Sequence, residues 1–142
     1  MRTMLNWRDR LECNPFGTMA ALAAVILGCA GLISGDRVSA GMTNSLRDTA
    51  NIVAHLWGGM FALGGGMKLF GLYWYRSTVE IPGLWLMIAG YAFYALTVTA
   101  GLGMHGMAAG VLSTALCAGC MLKVRLIMRH AKAAPYPKED AP

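Results

Sequence analysis

Four long apolar runs are the feature that most constrains this sequence. They cover residues 16–33, about 50–75, 81–101 and about 102–122 of a chain of 142. About 20 helical residues cross a bilayer core that is about 30 Å thick, so each run is long enough to span it. None of the runs alternates apolar with polar residues, as the strands of a membrane barrel do. We therefore predict an all-α membrane protein with four transmembrane helices.

The composition agrees with lipid as the solvent. Hydrophobic residues make up 56 % of the chain and charged residues 13 %, whereas charged residues reach about a quarter of a typical soluble domain. We expect a cytoplasmic N-terminal segment at 1–15, a transmembrane domain at 16–132 and a disordered cytoplasmic tail at 133–142. The net charge of +5 lies at the ends of the runs and in the tail, without a basic stripe and interleaved aromatics, so we expect no nucleic-acid partner.

The distribution of basic residues predicts the orientation. The first loop carries only Arg37 and Arg47, each beside an aspartate, and the third connection carries no basic residue. The other side of the membrane receives ten basic residues, which places both termini in the cytoplasm by the positive-inside rule. These ten are Arg2, Arg8, Arg10, Lys68, Arg76, Lys123, Arg125, Arg129, Lys132 and Lys138.

Two charged residues at this cytoplasmic side have structural interpretations. Lys68 lies near the end of the second run, where its stem is expected to snorkel towards lipid headgroups. Glu80 precedes Pro82 in what we expect to be the first turn of the third helix, where an acidic group complements the helix dipole. We expect Glu80 to form a surface ion pair with Arg76.

The region around the first run leaves alternatives open. Val38-Ser39-Ala40 has the form of a signal-peptide cleavage site, and Ile26-Leu27-Gly28-Cys29 resembles a lipobox. The run is longer than a usual signal core and its flank contains Asp9 and Glu12, so we favour a retained first helix. For residues 35–49 we expect an ordinary polar connector. The alternative is a short helix on the outer surface, since Val38, Met42 and Leu46 recur every four residues.

Small residues recur every four positions along three of the runs. In lipid, helices associate by close packing, and small residues let their backbones approach. A four-helix bundle has too little surface to hide every such stripe, so we also expect a homo-oligomer. The first run offers Ala20, Ala24 and Gly28; the predicted packing residues of the second and fourth are Ala54, Gly58, Ala62, Gly66, Gly106, Gly110, Thr114 and Ala118.

Catalytic signatures are missing from the sequence. There is no phosphate-binding loop, zinc-binding helix motif or nucleophile elbow, and no span contains Asp or Glu. We expect no enzyme activity, catalytic residue, metal site or cofactor. Cys117 and Cys120 form a CxxC motif that could bind metal or exchange electrons, but we interpret the pair as small packing residues.

His55 and His105 are the weak candidates for a cofactor site. Both are expected a few residues inside the outer face, where two imidazoles at one depth could ligate haem. The simpler interpretation is that these are interfacial histidines bonded to neighbours or water. A haem- or quinone-associated subunit therefore stays an alternative hypothesis.

The stretch from His55 to Tyr94 resembles small multi-pass membrane proteins of actinobacterial phages. The resemblance implies a phage setting and the inner membrane of a bacterial host, where such proteins often act as holins or as factors that exclude competing phages. It therefore implies a holin-like protein that permeabilises the membrane through oligomerisation. The alternative is a non-enzymatic scaffold that recruits a cytoplasmic protein partner. The resemblance is carried by Leu56-Trp57-Gly58, Gly64-Gly65, Leu69-Phe70-Gly71-Leu72, Glu80 with Gly83, and Tyr94-Ala95.

Overall fold

The described part of the chain is entirely helical. The computed structural model describes residues 14–74 and 77–133, and within these ranges it contains no strand. The all-α prediction is thereby confirmed for this part. The predicted N-terminal segment and tail lie almost wholly outside the described residues. The α-helices are α1 (Pro15–Ser34), α2 (Ala40–Leu46), α3 (Ala50–Trp74), α4 (Ser77–Leu102) and α5 (Met107–Ala133).

Two helical stretches of the described residues are long and apolar enough to cross a membrane. They are Pro15–Ser34 and the 54-residue stretch Thr78–Ala131. The second stretch contains the 3₁₀ turn Gly103–Gly106, at which α4 ends and the chain reverses into α5. Helix α3 is not part of either stretch. It is as long as the other long helices, but its six glycines, His55 and Lys68 lower its average hydropathy. The apolar stretches point to a membrane protein.

Successive long helices pack against each other in antiparallel order. Helix α1 contacts α3, α3 contacts α4, and α4 contacts α5. The reversal between α4 and α5 uses Gly103 at a φ of +53°, a conformation that L side chains rarely adopt. This arrangement places the start of α1, the end of α3, the start of α4 and the far end of α5 at one end of the bundle.

Residues 35–49 contain a short helix, so our expectation of an ordinary connector is wrong. Ser39 caps α2 by accepting a hydrogen bond from the Met42 amide at 3.4 Å. Met42 is fully buried, so α2 packs into the bundle instead of lying on its surface. The Ser45 hydroxyl donates to the Thr97 carbonyl at 2.7 Å and thereby fixes α2 to α4.

An aromatic cluster fills the centre between α3 and α4. Trp57 stacks on Phe61 and Tyr94, with ring centroids 5.1 and 5.7 Å away, and Phe61 meets Tyr91 edge to face at 4.7 Å. The Trp57 indole donates to the Gly90 carbonyl at 3.0 Å, and the Tyr91 hydroxyl donates to the Ala20 carbonyl of α1 at 2.9 Å. Each polar atom of these two rings thus has a partner inside the bundle, as a dry core requires.

Large apolar side chains also cover the outside of the bundle. Ile33, Leu56 and Leu96 are 83 %, 70 % and 71 % exposed, and each belongs to a different long helix. Exposed apolar surface of this extent is unusual for a soluble monomer and marks a contact with lipid or protein. The outer surface therefore fits a hydrocarbon environment better than water.

Candidate functional site

The predicted packing residues of α3 lie at its crossing with α1. Ala54 and Gly58 are buried, and a methyl group on Gly58 would lie 2.7 Å from the Gly28 carbonyl oxygen. Ala62 is half-buried against Gly28. Gly66, in contrast, has nothing within 4 Å of the position of an added methyl group. The α3 stripe is thus used inside the bundle except at Gly66.

The predicted packing residues of α5 divide into two groups. Gly106 and Gly110 are buried against α4, where a methyl group would meet the Val98 carbonyl at 2.5 Å and the Thr99 hydroxyl at 2.5 Å, respectively. Thr114 and Ala118 are exposed. One half of this stripe therefore packs inside the protein, and the other half faces outwards.

The outward half forms a shallow groove between α4 and α5, which we call the α5 groove. Its hydroxyls are satisfied locally: Thr114 donates to the Gly110 carbonyl at 2.8 Å, and Thr99 donates to the Ala95 carbonyl at 2.7 Å. The surface is consequently small and apolar, without a free donor that would require water. Its lining residues are Thr99, Met107, Gly110, Val111, Thr114, Ala115 and Ala118.

The two candidate histidines have different neighbours. His55 is half-buried on α3, and its ring faces Gly35 at the end of α1, where a methyl group would lie 3.2 Å from the ring. His105 is exposed in the turn Gly103–Gly106, which packs against α4 and α5. No observed contact favours a shared cofactor, so the haem or quinone site stays a prediction.

Cys117 and Cys120 are buried on the face of α5 that meets α4. The Cys117 thiol points at the Ile88 carbonyl at 3.6 Å. Within 14–74 and 77–133, the structure forms no group of three or more His, Cys, Asp or Glu residues that could hold a metal ion. The CxxC pair thus occupies core positions in the bundle.

Charged side chains come together inside the end of the bundle where α3 ends and α4 begins, and the sequence did not predict this. Lys68 is only 2 % exposed, and its ammonium donates to the Gly17 carbonyl at 2.5 Å. Glu80 is 8 % exposed, with the Lys123 ammonium 3.8 Å from its Oε1. The expected surface positions of Lys68 and Glu80 are therefore wrong, although Arg76 itself lies outside the described residues.

Close backbone approach explains why these charges are buried. Gly71 lies against the backbone of Glu80, with 2.6 Å between an added methyl group and the Glu80 amide nitrogen. Gly83 lies similarly close to Lys68, with 2.7 Å between an added methyl group and the Lys68 amide nitrogen.

Helix α4 begins at Ser77, so Pro82 lies in its second turn and not in its first, where we expected it. Because proline has no N–H, the Thr78 carbonyl lacks its usual helical donor.

The charged cluster opens into a small cleft between α1 and α5, which we call the lysine cleft. Its volume is about 90 Å³. Polar atoms lie at its inner end and apolar side chains form its walls. The lining residues are Asn14, Phe16, Gly17, Ala20, Lys68, Leu116, Gly119, Cys120 and Lys123.

Neither models of protein families nor curated proteins match the sequence, and no solved structure matches the fold. The α5 groove and the lysine cleft are therefore the two features from which function can be argued.

Proposed function

We propose that this chain is an inner-membrane protein with four spans and both ends in the cytoplasm. The four long helices contain 20 to 27 residues. At 1.5 Å per residue, each is long enough for a hydrocarbon core of about 30 Å. Their antiparallel order puts Lys68, Lys123, Arg125 and Arg129 at one end, as the positive-inside rule requires. The exposed apolar side chains then face lipid.

Within this membrane the proposed function is holin-like, namely permeabilisation through self-association. The exposed half of the α5 stripe is the observation that carries the proposal. Thr114 and Ala118 lie outside the bundle, although Gly110 of the same helix and Gly106 of the turn before it are buried. A small apolar surface gains little from contact with lipid and more from close packing against another helix. A second copy of the protein can supply that helix.

The step from association to permeabilisation is supported by the resemblance of residues 55–94 to phage membrane proteins. The α5 groove has no free hydroxyl donor, so it suits contacts between copies better than the wall of a water-filled lesion. The lesion would accordingly be lined by another part of the assembled surface. Its walls require polar groups, such as the exposed side chains of Arg125 and Arg129.

A second candidate function is a non-enzymatic membrane scaffold. Helix α5 continues to Ala133, and its last turns expose Arg125 and Arg129 beside Leu122 and Leu126. A helix end with neighbouring basic and apolar residues suits either anionic headgroups or an acidic protein. This surface favours recruitment of a cytoplasmic partner.

Induced expression with a membrane-potential dye tests the proposal and separates the two functions. We expect rapid depolarisation and growth arrest from the natural sequence. We expect Ala118→Leu to delay both, because the larger side chain fills the α5 groove. Ala108→Leu is the matched control, since Ala108 is exposed on the same helix outside the groove.

Membrane accumulation must be measured for each protein. If the natural sequence accumulates without depolarisation, permeabilisation is wrong and the scaffold is favoured. If both variants depolarise like the natural protein, the α5 groove has no part in the activity.

A further inference from the structure

Hydrogen-bond donors without acceptors converge on the lysine cleft. The Lys68 ammonium has three N–H donors, and among the described residues its one hydrogen bond goes to the Gly17 carbonyl. The Asn14 side-chain nitrogen is buried and has no hydrogen-bond partner among the described residues. Lys123 lies 3.8 Å from Glu80, which is beyond hydrogen-bond distance, and its side chain is 28 % exposed, so it also reaches solvent. Glu80 Oε1 is likewise buried without a described hydrogen-bond partner, so it does not satisfy the buried nitrogens of Lys68 and Asn14, which require an acceptor.

The charges around the lysine cleft favour an anion as that acceptor. Lys68 and Lys123 carry two positive charges, and Glu80 carries one negative charge, which leaves a net charge of +1. A group with a single negative charge and several oxygens would balance this charge and accept from all three donors. A phosphodiester has both properties, and ammonium groups bind phosphate oxygens strongly.

The walls of the lysine cleft indicate what kind of molecule would contain this phosphodiester. Phe16 and Ala20 of α1 face Leu116 and Gly119 of α5 across it. Gly119 has nothing within 4 Å of the position of an added methyl group, so the wall leaves room beside it. Phe16 is 70 % exposed, so the apolar wall continues to the outer surface of the bundle. A phosphate at the inner end could therefore be attached to an acyl chain that runs out between α1 and α5.

The size of the lysine cleft fits a headgroup fragment better than a single water. Its volume of about 90 Å³ is larger than the roughly 10–15 Å³ that one water needs when cavity space is measured in the same way. We propose that the lysine cleft binds the phosphate of an anionic phospholipid from the cytoplasmic leaflet. The inference rests on the proposed membrane orientation and is independent of permeabilisation.

Native mass spectrometry of the full chain in detergent tests this proposal. Phosphatidylglycerol, phosphatidylcholine and inorganic phosphate are titrated separately. We expect phosphatidylglycerol to bind more tightly than phosphatidylcholine, whose choline ammonium cancels the negative charge. We expect inorganic phosphate to compete only weakly, because it cannot use the apolar walls.

Three variants identify the site. Lys123→Gln should weaken phosphatidylglycerol binding by about tenfold, as the loss of one charge-assisted hydrogen bond does. Arg129→Gln removes the same charge from an exposed position of the same helix, and it should change binding by less than about twofold. Glu80→Gln should tighten binding, because the net charge of the cleft rises to +2. A purely structural role of the ion pair would not produce that gain.

The proposal is overturned by any of three results. Equal weakening by Lys123→Gln and Arg129→Gln would mean that lipid binds by general surface charge. Full displacement by inorganic phosphate would assign the cleft to a free anion. Equal affinity for the two lipids would mean that the cleft does not select an anionic lipid. Because binding is measured on solubilised protein, a failure here is distinguishable from a failure to depolarise cells.

Discussion

Gly28 and Gly58 bring the backbones of α1 and α3 into direct contact. A methyl group on either residue would lie 2.7 Å from the carbonyl oxygen of the other. We expect Gly58→Ala to destabilise the fold by about 1–3 kcal/mol, since backbone atoms must move apart to admit it. Unfolding in detergent, followed by circular dichroism, measures the change.

Gly66→Ala is the matched control for this prediction. Gly66 lies on the same helix, but an added methyl group there meets nothing within 4 Å. We expect no loss of stability, and a gain of up to about 1 kcal/mol from helix propensity. If Gly58→Ala is as stable as Gly66→Ala, the α1–α3 contact does not determine the tolerance of a methyl group at Gly58.

The α5 groove predicts the effect of Thr114→Leu on assembly. We expect the larger side chain to lower self-association, measured by energy transfer between labelled copies in vesicles, while the unfolding midpoint stays unchanged. The exposure of Thr114 is the physical reason, because the bundle itself has no need of a small residue there. Unchanged energy transfer relative to Ala108→Leu would place the contact elsewhere.

We expect Trp57 to contribute more to the stability of the fold than Trp85. Trp57→Phe removes the donor to the Gly90 carbonyl and should cost about 1–2 kcal/mol. Trp85 is 54 % exposed, so Trp85→Phe should change stability by less than about 0.5 kcal/mol. Unfolding of both variants under the same conditions makes the comparison, and equal costs would contradict the assigned role of the indole.

The short helix α2 should loosen when its link to α4 is cut. Ser45→Ala removes the bond to the Thr97 carbonyl, which is worth about 1 kcal/mol. Faster hydrogen exchange of the α2 amides is the expected result. Thr49→Ala is the control, because the Thr49 hydroxyl bonds only locally, to the Leu46 carbonyl. Unchanged exchange in Ser45→Ala would mean that apolar packing and the bond from the Asn44 side-chain amide to the Gly101 carbonyl hold α2.

The proposed orientation predicts a labelling pattern in intact cells. Met104 is 79 % exposed in the turn between α4 and α5, so Met104→Cys should react with a membrane-impermeant maleimide. Arg129→Cys should react only after permeabilisation, because it lies at the cytoplasmic end. Labelling of the natural protein, whose Cys29 is exposed, gives the background signal. Labelling of both positions from outside would refute the four-span topology.

The sequence predicted the helices well because their signal is local. An uninterrupted apolar run needs no tertiary information to be recognised, and the reversal after Gly101 follows from the glycines there. The charged cluster was missed because Lys68, Glu80 and Lys123 are far apart in the chain and meet only through close helix contacts at Gly71 and Gly83. Each residue alone has the ordinary signature of an interface anchor or helix cap.

The small-residue stripes show a second limit of the sequence. Gly110 and Ala118 belong to one four-residue repeat, yet one is buried and the other exposed. The repeat specifies that a helix can be approached closely, but it carries no information about which helix approaches it. A short helix at residues 35–49 was only the alternative prediction for a related reason, since the seven residues of α2 have mixed polarity and give a weak periodic signal.

The turn Gly103–Gly106 has a consequence for how the protein is made. Only four residues separate α4 from α5. In a bilayer, so short a link does not allow one helix to insert while the other stays away from it in the aqueous phase. With the proposed four-span topology, we expect the two segments to enter the membrane together as a helical hairpin, and biogenesis to be sensitive to any insertion that holds them apart.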